Sequence, residues 1–225
     1  MGAIVNFLSI ILGSVFGLLL KKGIPDKINK TITYGVGLCV ALIGIKGAFE
    51  GENTLITIIS IVLGAVIGEA IDIDALLNRL AKKAENRLNR NGGNVKFANG
   101  FISATLLFCV GAMAIVGSLD SGLTGDNTTL YTKSLLDGIS SVVFASSMGI
   151  GVAFSAIPVL ILQGGITLLA HLISPLLTDT IINEMTCVGS LLIIALGLNL
   201  LDISKIKVAN YLPAVFIPML LCQFM

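Results

Sequence analysis

The chain has 225 residues, of which 55% are hydrophobic and 12% are charged, and its mean hydropathy is +0.99. Soluble domains carry about 25% charged residues, and a globule of this size could not bury so much apolar surface, so the composition predicts a protein embedded in lipid. The net charge of +1 provides no basic field that would indicate a nucleic-acid partner.

Eight apolar stretches are long enough to cross a bilayer, which requires about 20 residues of helix. They predict an all-α, polytopic membrane protein in which residues 1–225 form a single integral membrane domain. The predicted spans 1 to 8 are residues 3–20, 33–49, 55–71, 97–119, 134–154, 157–176, 182–201 and 208–224.

The distribution of positive charge predicts the orientation of these spans. No Lys or Arg precedes span 1, while Lys21 and Lys22 follow it, which is the reverse of the charge order in a signal peptide. The loops after spans 1, 3 and 7 hold four, six and two basic residues, together twelve of the 14 Lys and Arg residues. Because cytoplasmic loops are enriched in Lys and Arg, these three loops are expected in the cytoplasm. Both termini are then expected on the outer side of the membrane.

The segment 72–96 between spans 3 and 4 is the only long cytoplasmic loop in this topology. Its part from Asp72 to Arg90 has apolar residues at helical spacing and basic residues on the other face. This pattern favours a helix on the inner membrane surface, held by anionic lipid. A docking site for a cytoplasmic partner is the alternative.

A weak internal repeat relates spans 1–3 to spans 6–8. The run YGVGLCVALIGIKG from Tyr34 resembles EMTCVGSLLIIALGLN from Glu184, and Asn6 in span 1 corresponds to Gln163 in span 6. Because the two copies are five spans apart, they would have opposite orientations, as in many secondary transporters. Spans 4 and 5 would then form a unique central pair.

Span 5 is rich in small and polar residues, including Ser146, Ser147, Gly149 and Gly151. Glycine inside a membrane helix permits either close packing or local unwinding. Packing is the simpler interpretation, whereas unwinding would expose backbone carbonyls to a substrate.

Polar residues within spans must find partners in lipid and are therefore candidates for a substrate pathway. Those predicted here are Asn6, Ser146, Ser147, Gln163 and Asn199, together with Gly149 and Gly151. Structural hydrogen bonds between helices are the alternative for each.

A second group, Asp126, Lys133 and Asp137, is predicted to form the outer mouth. Lys133 and Asp137 are four residues apart, so an ion pair on one helix face is expected. The pair could be a structural clamp or part of a charge-selective vestibule.

No pattern in the chain indicates enzymatic chemistry. The four cysteines lie in apolar stretches without a CxxC pair, the single histidine excludes a histidine-rich metal centre, and no phosphate loop or zinc motif appears. We therefore expect no catalytic residues, no metal and no cofactor.

Four runs carry a resemblance to a known family: FCVGAMAIVGSLDSGLTGD at 108–126, KSLLDG at 133–138, FASSMGIG at 144–151 and LPA at 212–214. Over essentially its whole length, the chain resembles the bacterial inner-membrane family that includes YdfK and YqgA. Members of this family are described as candidate transport proteins or as a domain of unknown function, so no functional residue can be transferred. The resemblance implies a bacterial cytoplasmic membrane location.

These features favour a transporter or permease for a small neutral, weakly charged or monovalent solute, working by alternating access about spans 4 and 5. An oligomeric channel and a membrane module that recruits a partner through residues 72–90 are the alternatives. The bilayer and an unidentified solute or ion are the expected partners, and a homo-oligomer is compatible with the sequence.

Overall fold

A computed structural model of the chain describes residues 1–21, 26–76, 79 and 94–224. These residues form helices and connecting turns with no β-strand among them, which confirms the predicted all-α class. In chain order the elements are α1 (Gly2–Lys21), α2 (Asp26–Ala48), α3 (Thr54–Ile71), α4 (Asn94–Cys109), α5 (Ala112–Leu123), α6 (Thr128–Met148), α7 (Gly151–Phe154), α8 (Ala156–Leu168), α9 (Ala170–Ile173), a 3₁₀ turn (Ser174–Leu176), α10 (Asp179–Leu200), a 3₁₀ helix (Val208–Phe216) and α11 (Pro218–Leu221).

Five helical segments in the described part of the chain are long and apolar enough to cross a membrane, and a bent pair of helices makes a sixth. They coincide with predicted spans 1, 2, 3, 4, 6 and 7. Helix α6, which carries Lys133 and Asp137, is not among them, and Val208–Leu221 is shorter than a spanning helix. By length and composition, the described residues therefore contain five or six spans rather than eight.

The predicted end of span 5 at residue 154 is wrong, because the helix ends at Met148. Gly149 follows with a φ of +88°, a conformation that glycine adopts readily because it lacks a Cβ. Gly151 begins the next helix, where a Cβ would lie 2.1 Å from the carbonyl oxygen of Phe97. The two glycines therefore form a tight turn between helices packed against α4, instead of a flexible point inside one helix.

Predicted span 4 is broken at Val110 and Gly111. Gly111 has a φ of +129°, and α4 and α5 meet there at an angle of 59°. A straight helix over residues 94–123 would be about 45 Å long, well beyond the roughly 30 Å of a hydrocarbon core. The bend fits this long segment into the height of the bundle.

Predicted span 8 is not a regular α-helix. The segment Val208–Phe216 is a 3₁₀ helix that contains Pro213, and proline has no N–H with which to continue an α-helical ladder. A short α-helix, Pro218–Leu221, completes the segment.

The predicted surface helix from Asp72 to Arg90 lies largely outside the described residues. Asp72 itself ends α3 in a left-handed conformation, with a φ of 53°, and its backbone N–H donates to the carbonyl oxygen of Glu69.

Glycine contacts set the directions of the packed helices. Near the start of α1, Gly2 lies against Leu130 of α6, and near its end Gly17 lies against Val142. Helices α1 and α6 therefore run parallel and in close contact. Small residues spaced along one face allow membrane helices to approach in this way.

Two other pairs of elements pack through glycines in antiparallel directions. On α2, Gly37 lies against Leu200 and Gly44 lies against Ser190, both on α10. Helix α3 meets the 3₁₀ helix in the same manner through Gly64 and Gly68. Each of the first three helices thus has one principal partner in the second half of the chain.

Glu184 ties α10 to the start of α3. Its carboxylate is completely buried, and Oε1 accepts hydrogen bonds from the backbone N–H groups of Glu52 and Asn53, both at 2.7 Å. These N–H groups immediately precede α3, where the helix dipole favours a negative charge. Glu184 therefore supplies from a distant helix part of the cap that α3 needs.

The capping role of Glu184 can be tested by comparing two substitutions. Glu184→Ala removes the acceptor of two partly buried N–H groups and is expected to lower the free energy of unfolding by about 1–3 kcal/mol. Glu184→Gln keeps the accepting oxygen and should lose less. Unfolding in mixed detergent micelles measures both, with Glu50→Ala at an exposed position as the control. Equal stability of Glu184→Ala and the unsubstituted protein would contradict the cap.

Candidate functional site: a buried polar cluster beside a broken helix

Four polar side chains meet inside the helix bundle, and we refer to them as the buried polar cluster: Asn6 of α1, Lys133 and Asp137 of α6, and Gln163 of α8. Lys133 and Asp137 form the ion pair that their spacing predicts, with Nζ 3.1 Å from Oδ2. The Asn6 amide Nδ2 donates to Asp137 Oδ2 at 2.9 Å and to Gln163 Oε1 at 3.1 Å. Asn6 therefore links the ion pair to α8.

All four side chains are shielded from solvent. Asn6 and Gln163 have no exposed surface, while Lys133 and Asp137 expose 7% and 5%. A buried charge is costly unless it is paired and hydrogen-bonded, and the cluster supplies both kinds of partner. In this structure the site is therefore inaccessible to solvent.

The cluster leaves one acceptor and one donor unused. Among the described residues, neither Asn6 Oδ1 nor Gln163 Nε2 has a hydrogen-bond partner. Buried polar atoms in folded proteins are nearly always paired. A small polar molecule with both a donor and an acceptor would supply the missing hydrogen-bond partners of the two amides.

The close approach of α1 and α6 positions the cluster. A Cβ added to Gly13 would lie 2.2 Å from the carbonyl oxygen of Gly138, so these two helices touch through their backbones. This contact lies one residue beyond Asp137 on α6 and brings that carboxylate against α1. Glycine at residue 13 is therefore part of the reason that Asn6 and Asp137 can meet.

The helix that carries the ion pair packs beside the break in span 4. Lys133 and Asp137 belong to α6, which contacts both α4 and α5, the helices on the two sides of the break. Val110 and Gly111 lie between those helices. Non-helical backbone at membrane depth is tolerated only where protein buries it or where it lines a cavity, and both residues of this break line a cavity.

Asp126 lies apart from the other two residues of the predicted outer mouth. It is exposed in the loop before α6, where it accepts hydrogen bonds from the hydroxyl of Thr128 at 2.7 Å and from its N–H at 2.9 Å. These bonds, that of the side chain first, hold the pKa of Asp126 below its ordinary value. The structure therefore divides the predicted mouth between a surface loop and the buried polar cluster.

Ser146 and Ser147 also lie away from the cluster. Their hydroxyls donate to carbonyl oxygens of their own helix, Ser146 to Val143 at 2.7 Å and Ser147 to Phe144 at 3.1 Å. Nine residues of helix separate Ser146 from Asp137, which corresponds to about 13 Å along the axis. These serines therefore lie at the end of α6 that is remote from the ion pair, just before the turn that contains Gly149 and Gly151.

Asn199 lies at the end of α10, where it holds the following loop. Its Oδ1 accepts from the Ser204 hydroxyl at 2.6 Å, and its Nδ2 donates to the carbonyl oxygen of Ile206 at 2.7 Å. This loop borders a cavity of about 450 Å³, which we call the polar cavity. Its polar wall includes Asn99, Ser103, Asn199, Asp202, Lys205 and Lys207.

A second cavity of about 450 Å³ lies beside the break in span 4, and we call it the apolar cavity. It is lined by residues of α4, α5, α8, α9 and α10, by Leu177 and by residues between 212 and 219. Cys109, the last residue of α4, also lines it.

Among the described residues, no three His, Cys, Asp or Glu side chains come together as metal ligands would. The four cysteines are free thiols.

Two residues of structural importance were not singled out by the sequence. Gly111 lies within the run FCVGA, and a glycine inside an apolar span was the only available sign of the break. Glu184 appears in the sequence merely as the start of a repeat segment, and its role depends on a contact with residues more than a hundred positions away.

Comparison with known proteins identifies the family. A family profile described as "Protein of unknown function (DUF554)" matches residues 1–223. The chain belongs to the DUF554 family. One relative, the "Uncharacterized membrane protein YdfK" of Bacillus subtilis (strain 168), is 34% identical over 221 residues, covering 96% of this chain and 93% of YdfK. Another, the "Uncharacterized protein YqgA" of Escherichia coli (strain K12), is 33% identical over 221 residues, covering 97% and 94%.

The resemblance seen in the sequence is thus confirmed over nearly the whole chain. No solved structure matches this DUF554 protein. Its apolar helices and the name of its relative YdfK both indicate a membrane protein.

Proposed function

We propose that this DUF554 protein is a secondary transporter of the bacterial cytoplasmic membrane that carries a small neutral or singly charged solute. The observation that supports it best is a span broken at Val110 and Gly111 that packs against α6, the helix that carries a buried ion pair. Transporters commonly bind substrate near the bilayer midplane, where discontinuous helices leave backbone groups free. Intramembrane charges are costly and are found mainly at functional sites.

The proposal includes eight crossings with both termini outside, α6 and Val208–Leu221 providing the two additional spans. The parallel packing of α1 and α6 supports this count, because spans 1 and 5 of an alternating topology point the same way. Antiparallel packing of α2 with α10, and of α3 with the 3₁₀ helix, agrees with spans 2 and 7 and spans 3 and 8.

The same packing supports an inverted repeat of spans 1–3 and 6–8. Each proposed repeat pair is in contact: α1 with α8, α2 with α10, and α3 with the 3₁₀ helix. Asn6 and Gln163, which correspond in the repeat, are hydrogen-bonded to each other. Corresponding residues meet in this way when they lie near the axis that relates two inverted halves.

In the proposed mechanism the solute bridges Asn6 Oδ1 and Gln163 Nε2, the two unused amide atoms of the cluster. Lys133 and Asp137 bring one charge of each sign, so the site favours solutes with little or no net charge. The flexible point is Gly111, where α4 and α5 can change their angle, instead of the turn at Gly149 and Gly151. Binding energy released at the cluster would bias that angle between two arrangements.

Uptake into proteoliposomes tests the transport function. The purified protein is reconstituted in phosphatidylethanolamine and phosphatidylglycerol, and a panel of radiolabelled neutral, monovalent anionic and monovalent cationic solutes is offered. We expect saturable uptake and counterflow for at least one member of the panel. Gln163→Leu should reduce that uptake at least tenfold because it removes the donor to the solute, whereas Gln223→Leu, at an exposed position near the end of the chain, should not.

Two results would overturn this proposal. Flux that rises linearly with concentration and never saturates would favour a channel. The absence of flux for every solute, in protein whose fold is intact, would instead favour a membrane module that recruits a partner through residues 72–90.

A further inference from the structure

The walls of the apolar cavity are almost entirely carbon. Two hydroxyls belong to residues in the wall, those of Thr105 and Thr186, but both oxygen atoms are buried within it and have no hydrogen-bond partner among the described residues. The cavity surface therefore presents almost no polar surface to a guest. Its apolar lining comes from five parts of the fold, represented by Leu106, Ile115, Leu162, Met185 and Val215.

Water is a poor occupant of such a space. A buried water needs two to four polar partners, and apolar cavities of about 150 Å³ in soluble proteins stay dry but accept benzene or xenon. The apolar cavity is much larger, at about 450 Å³. If it were empty, its wall atoms would lose many dispersion contacts. An apolar occupant is therefore favoured.

The cavity opens on the side of the bundle that faces lipid. Ile161 of α8 and Phe216 of the 3₁₀ helix belong to its lining and expose 69% and 54% of their surface. Gly111 also belongs to the lining, and an added Cβ there would meet no heavy atom within 4 Å. The space therefore extends from the apolar outer face of the protein to the broken backbone.

We infer that an acyl chain of a membrane phospholipid enters between Ile161 and Phe216 and lies in the apolar cavity against the break at Val110 and Gly111. Hydrocarbon matches the wall chemistry, and the surrounding bilayer supplies it continuously. A chain in this position packs against both α4 and α5 and supports the 59° angle between them. This inference goes beyond the proposed transport function and does not depend on it.

Photo-crosslinking with a diazirine-bearing phosphatidylethanolamine acyl chain tests the inference on the full chain in proteoliposomes. Peptide mapping by mass spectrometry should find adducts at buried residues that line the cavity, such as Leu106 and Ile115. Buried residues that do not line it, Val40 and Leu130, provide the internal reference and should remain unlabelled.

A pair of substitutions on one face of α8 tests the route of access. Ile161→Trp places a large ring at the opening and should reduce cavity labelling at least fivefold. Ile157→Trp, one turn earlier, at a residue that is 50% exposed and does not line the cavity, should leave it unchanged. Cavity labelling no stronger than that of Val40 and Leu130, or unaffected by Ile161→Trp, would overturn the inference. If the unsubstituted protein showed cavity labelling but no saturable solute uptake, that result would contradict the transport proposal and leave the lipid inference standing.

Discussion

Asp137→Leu is expected to destabilise this protein more than any other single change in the buried polar cluster. The substitution leaves the Lys133 ammonium buried without its counter-ion, and breaking a buried pair from one side costs about 3–5 kcal/mol. The Asn6 amide loses one of its two acceptors as well. Unfolding of the purified protein by SDS in mixed micelles measures the change.

The double variant Lys133→Met/Asp137→Leu separates the charge effect from the packing effect. Both charges are then absent, and well-packed apolar side chains often replace a buried ion pair without loss of stability. We expect the double variant to recover most of the stability that Asp137→Leu loses. If the cluster is also the solute site, the same stable variant should no longer show saturable uptake.

The exposed pair of Lys207 and Glu69 is the matched control for this experiment. Its atoms are 3.3 Å apart, but the side chains expose 54% and 63% of their surface. Solvent screens such a pair, so Glu69→Gln should change the stability little. A stability of Asp137→Leu equal to that of the unsubstituted protein would contradict the burial of the cluster, as would a double variant no more stable than the single one.

Gly68→Ala is expected to have the second large effect. The added Cβ would lie 1.7 Å from the carbonyl oxygen of Asn210, which belongs to the backbone of the 3₁₀ helix and cannot rotate away. Overpacking of this kind typically costs about 1–3 kcal/mol, occasionally more. Movement of Asn210 would also disturb the hydrogen bond of 2.7 Å that its side chain accepts from the N–H of Asp74.

Gly35→Ala is the matched control on α2, because no heavy atom lies within 4 Å of its added Cβ. Alanine is favoured over glycine inside a helix by roughly 1 kcal/mol, so this variant should be as stable as the original protein or slightly more stable. Thermal unfolding in detergent compares the two variants. Equal losses for Gly35→Ala and Gly68→Ala would show that the contact between α3 and the 3₁₀ helix is not close.

Composition and periodicity were sufficient to predict the helices whose ends coincide with a change from apolar to polar residues. Span 3 was expected at residues 55–71 and is found as Thr54–Ile71. The prediction failed where backbone conformation, and not hydropathy, ends a helix. Gly149 ends α6 through its positive φ, although apolar residues continue on both sides of the turn, and Pro213 lies within a 3₁₀ helix in a stretch that is mostly apolar.

The individual polar residues of the candidate site could also be predicted from the sequence, but their meeting in one cluster could not. The four-residue spacing of Lys133 and Asp137 was enough to predict their ion pair, and Asn6 and Gln163 were notable as amides in lipid. Their meeting depends on contacts between residues 131 and 157 positions apart. No local pattern encodes that distance, and the backbone contact of Gly13 with Gly138 that makes it possible is visible only in three dimensions.

The parallel contact between α1 and α6 also has a consequence for biosynthesis. Translation proceeds at about 5–20 residues per second, so α6 emerges roughly 5–20 s after α1, the helix with which it packs. During that interval Asn6 lacks its hydrogen-bond acceptor Asp137, and Gly13 lacks the backbone of Gly138 against which it packs. Helix α1 is thus completed only after α6 has been made, and a ribosome paused before Thr128 leaves the packing face of α1 without this partner.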